Sequence, residues 1–157
     1  MKVNLGCGEN YIPGFTHVDL DTYPHIDHQR DIRDLDIFDD NSADLIYSSH
    51  SLEYFDRIEV KAVLKEWIRV LKPGGVLRLA VPDFEAMVKV YLNYRDLDHR
   101  GILGPLYGKW PYKTVGEKVD TFYHKTTYDF KSLKNTLENA GLTKIKRYNW
   151  KETIHKD

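Results

Sequence analysis

The sequence predicts an α/β fold, with a mostly parallel sheet between helices in a three-layer, doubly wound arrangement. Short apolar runs of strand length alternate along the chain with segments of helical periodicity. Parallel neighbours in a sheet need crossover connections, and helices commonly supply them. The clearest helix has apolar residues at spacings of three and four, namely Val60, Val63, Leu64, Trp67, Ile68 and Leu71.

Six segments have the composition of β-strands, and most end at glycine, proline or polar turn residues. The first is a buried strand closed by Gly6 and Gly8. The second, "THVDL", ends in acidic residues, and the third is short and polar. The predicted strands are residues 2–5, 16–20, part of 28–35, 44–48, 76–81 and 142–150.

Three helices follow from capping residues and stop signals. The first begins after Asp56, a residue suited to the N-cap, and ends at "KPGG", residues 72–75. The second begins after Pro82-Asp83, and the third begins at Asp129 and ends at Gly141. Between the second and third helices, sustained periodicity is absent over residues 96–125. We therefore expect one domain over residues 1–157, with an irregular insertion at 96–125 that serves the function.

Composition and charge exclude several classes of protein. The chain of 157 residues has a formal net charge of −1, so no basic field favours nucleic acid. No apolar segment approaches the roughly 20 residues that span a bilayer. The single cysteine, Cys7, excludes an intramolecular disulfide. Because "MKVNLG" leads directly into a strand, we expect no signal peptide, a cytoplasmic location, and no nucleic-acid or membrane partner.

Glycines and aspartates follow the first two predicted strands. Gly6 and Gly8 allow a sharp turn and let a ligand approach the backbone. Asp19 and Asp21 end the next strand, where a carboxylate can accept hydrogen bonds from a ribose diol. In open parallel sheets, ligands bind beyond the carboxyl ends of the strands. The pattern therefore predicts a nucleoside-containing ligand across two adjacent strand ends.

The glycine loop does not match the dinucleotide fingerprint. Its third glycine is absent, and Glu9 places an anion where a pyrophosphate would bind. Pro13-Gly14 also interrupts the short segment before the second strand, so at most one helical turn fits there. The loop is better suited to an uncharged ribose than to phosphates, which disfavours a dinucleotide-dependent oxidoreductase.

Four segments together resemble the Rossmann-fold, class I, S-adenosylmethionine-dependent methyltransferases. They are "VNLGCG", the acid-ended second strand, "DIRDLDIFDDNSADLIYSSHSLEYF" and "VLKEWIRVLKPGGVLRLAVPD". The resemblance covers residues 2–95 and resumes weakly at "HKTTYDFKSLKNTLENAGLTKI", and it is strongest to short methyltransferases of glycan gene neighbourhoods. It implies S-adenosylmethionine as cofactor and methyl transfer to a small-molecule acceptor, for which a saccharide hydroxyl is one candidate.

The chain also departs from that family. The helices that precede the first strand are missing, the first crossover has almost no helix, and the final hairpin strand is hard to place. These losses leave one sheet face underprotected, so a partner subunit in a homodimer or residues 96–125 could cover it. The alternative function is a non-catalytic cofactor-binding or assembly module that has lost its acceptor site.

The resemblance also implies roles for individual residues. Gly6, Cys7 and Gly8 pass under the methionine part of the cofactor, and Asp19 holds the ribose hydroxyls, with Asp21 as its substitute. It implies that Asp31 accepts a hydrogen bond from the adenine amino group and that Ile32 packs beside the ring. It also implies that the backbone carbonyl of Ser48 meets the methionine ammonium group and that His50 faces the methyl group.

A base is needed only if the acceptor must lose a proton, and the two candidates are His50 and His124. Cys7 is better explained as a small packing residue than as a nucleophile. Four aromatic residues could stack an acceptor ring or form a small core: Tyr107, Trp110, Tyr112 and Tyr123. A polar cluster matches no metal-ligand spacing, so no metal is expected at His25, Asp27, His28 and Asp31.

Overall fold

The computed structural model describes residues 1–108, 110–113 and 119–153. Its main sheet has five parallel strands in the order β3-β2-β1-β4-β5. Their bounds are β1 (Lys2–Leu5), β2 (Thr16–Asp19), β3 (His28–Gln29), β4 (Ala43–Ser49) and β5 (Leu71–Ala80). The strand order reverses between β1 and β4, the position where open α/β sheets bind ligands. The predicted α/β fold with a mostly parallel sheet is confirmed.

The register of the strands places the predicted site at one edge of the sheet. Leu5 of β1 pairs with Val18 of β2, and Val18 pairs in turn with His28 of β3. On the other side of β1, Asn4 pairs with Tyr47 of β4. Because all these strands run in the same direction, the loops that follow β1, β2, β3 and β4 meet at their carboxyl ends.

The described residues form four α-helices, α1 (Glu59–Val70), α2 (Phe84–Tyr94), α3 (Leu103–Tyr107) and α4 (Phe130–Asn139). Asp56 was predicted to cap α1, but the residue at the N-cap is Ile58. The Asp56 carboxylate nevertheless accepts hydrogen bonds from the amides of Ile58 and Glu59, at 2.7 and 2.8 Å. Asp129 caps α4 as predicted, in a reciprocal pair of hydrogen bonds with Ser132.

The main core lies between the sheet and α1, with α4 packed beside it. Trp67 is fully buried there, and its indole N–H donates a 2.7 Å hydrogen bond to the carbonyl oxygen of Ile32. The opposite face of the sheet has a much smaller cluster, made by Ile12, Phe15 and Tyr47 with Leu45. The first crossover, residues 6–15 between β1 and β2, contains no helix, and two residues of this cluster, Ile12 and Phe15, belong to it.

Residues 96–125 were predicted to be irregular, yet they contain regular elements. Helix α3 and an antiparallel hairpin lie there, formed by β6 (Trp110–Lys113) and β7 (Val119–Phe122). Each of these elements has four or five residues, which is too few for apolar periodicity to reveal them.

The strand predicted over 142–150 is wrong. Residues 142–149 form no strand in the described part of the chain, and a 3₁₀ turn follows at Trp150–Glu152. Leu142, Ile145 and Tyr148 are partly buried while the residues between them are exposed, a spacing of three instead of two. Lys144 also has a left-handed backbone with φ +57°, which interrupts an extended strand.

β5 begins earlier than predicted, at Leu71. The register between β4 and β5 shifts at residues 72–75, because Ala43 pairs with Leu71 and Leu45 pairs with Val76. The predicted turn "KPGG" is thus an irregularity within the strand. Among the helices of the described segments, none is long and apolar enough to cross a membrane.

Candidate functional site

A cavity of about 340 Å³ lies at the carboxyl edge of the sheet. Seven of the residues predicted for the site line it: Gly6, Cys7, Gly8, Asp19, Asp31, Ile32 and His50. Asp21, Ser48 and His124 do not line it. A larger groove, of about 640 Å³, lies between β5, α4 and residues 142–148, and it contains none of the predicted residues.

The glycines after β1 form the floor of this cavity. Gly6 and Gly8 have left-handed backbones, with φ +66° and +50°. A Cβ at Gly6 would lie 2.1 Å from the Ser51 hydroxyl oxygen, so a side chain there would collide with the loop after β4. A Cβ at Gly8 would meet no atom within 4 Å. The main chain at Gly8 is therefore open to a ligand.

Asp19 joins the end of β2 to the glycine loop. Its side chain is buried, and Oδ2 accepts a 2.8 Å hydrogen bond from the amide of Gly8. Oδ1 accepts a 2.9 Å hydrogen bond from the amide of Asp21. Each carboxylate oxygen has a second lone pair, which leaves room for a ribose hydroxyl. Of the two alternatives for the ribose, the structure brings Asp19 to the cavity and leaves Asp21 outside it.

Cys7 is buried between the two glycines. Burial raises the pKa of its thiol to about 12, and the charge of Asp19 adds to the increase. A thiol with this pKa remains protonated at neutral pH and is a poor nucleophile. The structure therefore favours a packing role for Cys7.

Asp31 and Ile32 form the wall that follows β3. Arg33 contacts the Asp31 carboxylate through Nε, at 2.9 Å, and through a second guanidinium nitrogen. Burial raises the pKa of Asp31, but the hydrogen bonds from Arg33 outweigh it, and the net shift is downward. Ile32 is fixed through its carbonyl by Trp67. Arg33, which the sequence did not single out, also lines the cavity.

At the end of β4, the cavity is lined by the residue after Ser48. Ser48 is buried and pairs with Leu79, whose side chain belongs to the main core. Side chains alternate along a strand, so Ser48 faces the core and Ser49 faces the other way. Ser49 and His50 are the residues of this strand end that reach the cavity.

His50 lines the cavity next to a buried acid. Its side chain is 60% exposed, and its backbone is left-handed with φ +54°, which is uncommon outside glycine. Nδ1 lies 3.3 Å from Oε1 of Glu53, whose side chain is only 1% exposed. The hydrogen bond that His50 donates to the Glu53 carboxylate raises the pKa of His50.

His124 lies near the same carboxylate oxygen. Its Nε2 lies 3.7 Å from Oε1 of Glu53, and its Nδ1 lies 2.9 Å from the carbonyl oxygen of Pro105. The His124 side chain is 6% exposed, and the ring of Tyr54 packs edge-on against it. The two predicted base candidates thus meet through Glu53, which sequence reasoning missed. The sequence feature that could have indicated Glu53 is its position as a single acid in the apolar turn "SLEYF".

The polar residues near β3, His25, Asp27 and Asp31, each contact a different partner. His25 contacts the carbonyl of Gly8, and Asp27 accepts a hydrogen bond from the amide of His17. Asp31 is paired with Arg33. In the described part of the chain, no group of three or more His, Cys, Asp or Glu residues could hold a metal ion. Tyr107 and Tyr123 are exposed and do not line the cavity.

Comparison with known proteins gives one family match and several structural neighbours. A family model described as a methyltransferase domain matches residues 4–79, just under half of the chain. This match includes the glycine loop, Asp19, Asp31 and His50. Curated proteins give no match.

Several solved structures are similar to this chain at 15–19% identity, and three of them illustrate the range. An S-adenosylmethionine-dependent methyltransferase from Archaeoglobus fulgidus has a TM-score of 0.61 at 17% identity, over 92% of this chain and 62% of its own. A methyltransferase in complex with the Haloferax volcanii Trm112 activator has a TM-score of 0.53 at 19% identity, over 89% and 59%. The DhpI-SAM-HEP complex has a TM-score of 0.55 at 16% identity, over 89% and 69%.

The chain has the α/β, Rossmann-like fold of these neighbours. The chain spans about three fifths of the length of the Archaeoglobus and Haloferax proteins. At these identities, the neighbours establish the arrangement of the sheet and helices, while the chemistry rests on the side chains of the cavity.

Proposed function

We propose that the cavity binds S-adenosylmethionine and that the chain transfers its methyl group to a small-molecule acceptor. The observation that carries the proposal is the convergence of the glycine loop, Asp19, Asp31 and His50 on one cavity of about 340 Å³. The methyltransferase-domain match over residues 4–79 and the neighbours of known S-adenosylmethionine dependence support this cofactor.

The residues of the cavity fit the chemical groups of this cofactor. Its volume lies within the range of small-molecule sites, about 300–1,000 Å³. Gly6, Cys7 and Gly8 would support the methionine part, because the main chain at Gly8 is open. Asp19 would accept hydrogen bonds from the ribose hydroxyls. Asp31 would accept a hydrogen bond from the adenine amino group and Ile32 would pack beside the ring, while the backbone at Ser49 would meet the ammonium group.

When bound, the cofactor supplies a methyl group on a sulfonium, whose leaving group is a neutral thioether. The leaving group needs no acid, so the protein contributes mainly by positioning the acceptor, worth about 7–11 kcal/mol in well-oriented reactions. A hydroxyl acceptor must also lose its proton. His50 lines the cavity and is exposed to it, so it is the group that would take this proton. A saccharide hydroxyl is the acceptor that we propose.

The first experiment measures cofactor binding by isothermal titration calorimetry and thermal denaturation. S-adenosylmethionine and S-adenosylhomocysteine should each bind with one site and raise the unfolding free energy by about 2.7 kcal/mol at a hundredfold excess over Kd. NAD should give no stabilisation, since the loop lacks the third glycine. A well-folded protein that binds NAD but neither of the other two ligands would overturn the proposal.

The second experiment distinguishes an enzyme from a non-catalytic cofactor-binding module. Release of S-adenosylhomocysteine is measured with a panel of sugars, each compared with a reaction without acceptor. Acceptor-dependent release that is lost in His50→Gln supports methyl transfer at this site. Tight cofactor binding without release for any acceptor supports the non-catalytic alternative.

A further inference from the structure

Two histidines share one buried carboxylate beside the cavity. The Glu53 side chain is 1% exposed, and its Oε1 lies 3.3 Å from Nδ1 of His50 and 3.7 Å from Nε2 of His124. Its other oxygen, Oε2, is buried with no hydrogen-bond partner. Burying an ionised carboxylate is costly unless charged or hydrogen-bonding partners compensate. A carboxylate held in this position therefore points to a functional role for the group that it contacts.

The neighbours of each ring nitrogen define which histidine can accept a proton. A carbonyl oxygen only accepts hydrogen bonds, so Nδ1 of His124, which faces the carbonyl of Pro105, must carry a hydrogen. Its other nitrogen faces Glu53, and the ring is almost fully buried. Nδ1 of His50 donates to Glu53, which leaves Nε2 with its lone pair. His50 is thus the histidine that can take a proton from a molecule in the cavity.

The main chain holds this arrangement in place. The carbonyl oxygen of Glu53 accepts hydrogen bonds from the amides of Lys125, at 2.9 Å, and Thr126, at 3.2 Å. These bonds fix the segment of His124 against the turn Leu52–Tyr54. A Cβ at Gly108 would lie 2.2 Å from Nε2 of His124, so the backbone there packs directly on the ring. The backbone of His50 is left-handed, and its N–H donates a 2.9 Å hydrogen bond to the carbonyl oxygen of Ala80, which helps to hold this conformation.

We propose that Glu53 is a positioning residue that fixes the tautomer of His50 as the base. The inference rests on the proposed function and adds the residue that orients its base. A site with a dedicated base serves an acceptor that loses a proton on methylation, such as an alcohol. A thiolate or a neutral amine attacks through a lone pair that it already has and needs no such group.

The proposed reaction moves one proton and one methyl group. The acceptor O–H bond breaks, and its proton passes to Nε2 of His50. The oxygen electron pair forms the new O–CH₃ bond, while the electron pair of the methyl–sulfur bond remains on sulfur, which becomes a neutral thioether. The imidazolium formed at His50 is stabilised by the Glu53 carboxylate across the Nδ1–H hydrogen bond. His50 then releases the proton to solvent.

Tyrosines and cations lie close to this cluster, and Asp19 and Asp31 line the same cavity as His50. Tyr54 and Tyr128 have raised pKa values, in each case through burial first and the charge of Glu53 as a lesser cause. Arg57 lies over the ring of Tyr128, at 4.1 Å from its centroid. Lys125 lines the cavity but is paired with Glu59. In the described structure, Glu53 is the acid that contacts His50.

The test compares Glu53→Gln with Glu138→Gln, a matched change at an exposed residue of α4. The pKa of His50 is measured by NMR titration of the ligand-free protein. It should fall towards the ordinary value of about 6.5 in Glu53→Gln and stay unchanged in Glu138→Gln. Affinity for S-adenosylmethionine should remain within twofold. With an alcohol acceptor, kcat should fall and its acidic limb should move to lower pH, because His50 loses its proton more easily.

If Glu53→Gln does not fold, His50→Gln tests the base at the same site. His50→Gln alters an exposed side chain, and it should retain cofactor affinity while turnover of an alcohol falls roughly 10²- to 10⁴-fold. Turnover of a simple thiol, assayed at pH 9.5 as its thiolate, should fall far less. The inference is overturned if the alcohol and thiolate lose activity equally, or if the His50 pKa is the same in Glu53→Gln and in the unmodified protein. Absence of cofactor binding in the unmodified protein would instead refute the proposed function.

Discussion

The backbone N–H of Gly8 donates a 2.8 Å hydrogen bond to Oδ2 of Asp19, and this contact links the loop after β1 to the end of β2. Both residues line the same cavity. The glycine supplies open main chain, and the acid holds that main chain in position while keeping lone pairs free. One buried carboxylate thus organises the floor of the cavity and keeps lone pairs available for a ligand.

Asp19→Asn should weaken S-adenosylmethionine binding by about 10- to 150-fold. This range corresponds to the 1.5–3 kcal/mol of a hydrogen bond to a charged group. An amide also has only one acceptor oxygen, whereas Asp19 accepts from both Gly8 and Asp21. Calorimetric titration measures the change. Asp21→Asn is the matched control and should alter the affinity less than twofold, so a larger effect at Asp21 would show that it holds the ribose.

Gly8→Ala should lower cofactor affinity beyond any effect on stability. Gly8 and Gly14 both have positive φ, at +50° and +79°, and a Cβ at either would meet no atom within 4 Å. Each alanine should therefore cost about 1–2 kcal/mol of backbone strain. Since only Gly8 lines the cavity, only Gly8→Ala should raise the Kd for S-adenosylmethionine. Denaturant unfolding and calorimetry measure the two quantities, and equal affinities for both variants would place the ligand elsewhere.

The sequence predicted the parts of the site that depend on local signals. Glycines and acids at strand ends can be recognised from the sequence alone. The parallel sheet then brings them together, as at Gly8 and Asp19. Glu53 was missed because one acid in a short apolar turn has no periodic signal. Its contact with His124 also joins segments 71 residues apart in the chain, which follows only from the tertiary structure.

The wrong strand over 142–150 has a different cause. Leu142 and Ile145 pack against the core at a spacing of three, and apolar content alone does not distinguish this from the alternation of a strand. The positive φ of Lys144 is a conformation that propensity disfavours in a lysine. Tertiary packing therefore overrode the local pattern in this segment.

Glu66→Gln should make stability less dependent on pH in the acidic range. The Glu66 carboxylate accepts hydrogen bonds from Arg69, at 2.8 and 2.9 Å, and from the amide of Leu35, at 3.0 Å. The bonds from Arg69 are the main cause of the lowered pKa of Glu66. A depressed folded-state pKa gives stability that is present above the unfolded value, near 4.5, and is lost as pH falls through the folded value.

At pH 7, the unmodified protein should therefore be more stable than Glu66→Gln by about 1 kcal/mol. The difference should shrink below about pH 4.5 and vanish in stronger acid. Urea unfolding at a series of pH values measures it. Glu138→Gln, at an exposed residue whose ion pair with Lys134 is 3.7 Å long, is the control and should show almost no difference at any pH. A constant gap between Glu66→Gln and the unmodified protein would contradict the assignment.

Trp67→Phe should destabilise the fold and also weaken cofactor binding, because one hydrogen bond connects the core to the cavity. The indole N–H of Trp67 donates to the buried carbonyl of Ile32, a residue that lines the cavity. Phenylalanine fills much of the space but leaves this carbonyl without its donor, at a cost of about 1–3 kcal/mol.

Val63→Ala provides the comparison for Trp67→Phe, since Val63 is buried on the same face of α1 and has no polar atom in its side chain. It should lower the free energy of unfolding by a similar amount through lost packing. Affinity for S-adenosylmethionine, measured at a temperature where both variants are folded, should fall only in Trp67→Phe, because only that change releases the segment after β3. If both variants bind equally well, the Trp67–Ile32 hydrogen bond stabilises the core without shaping the site.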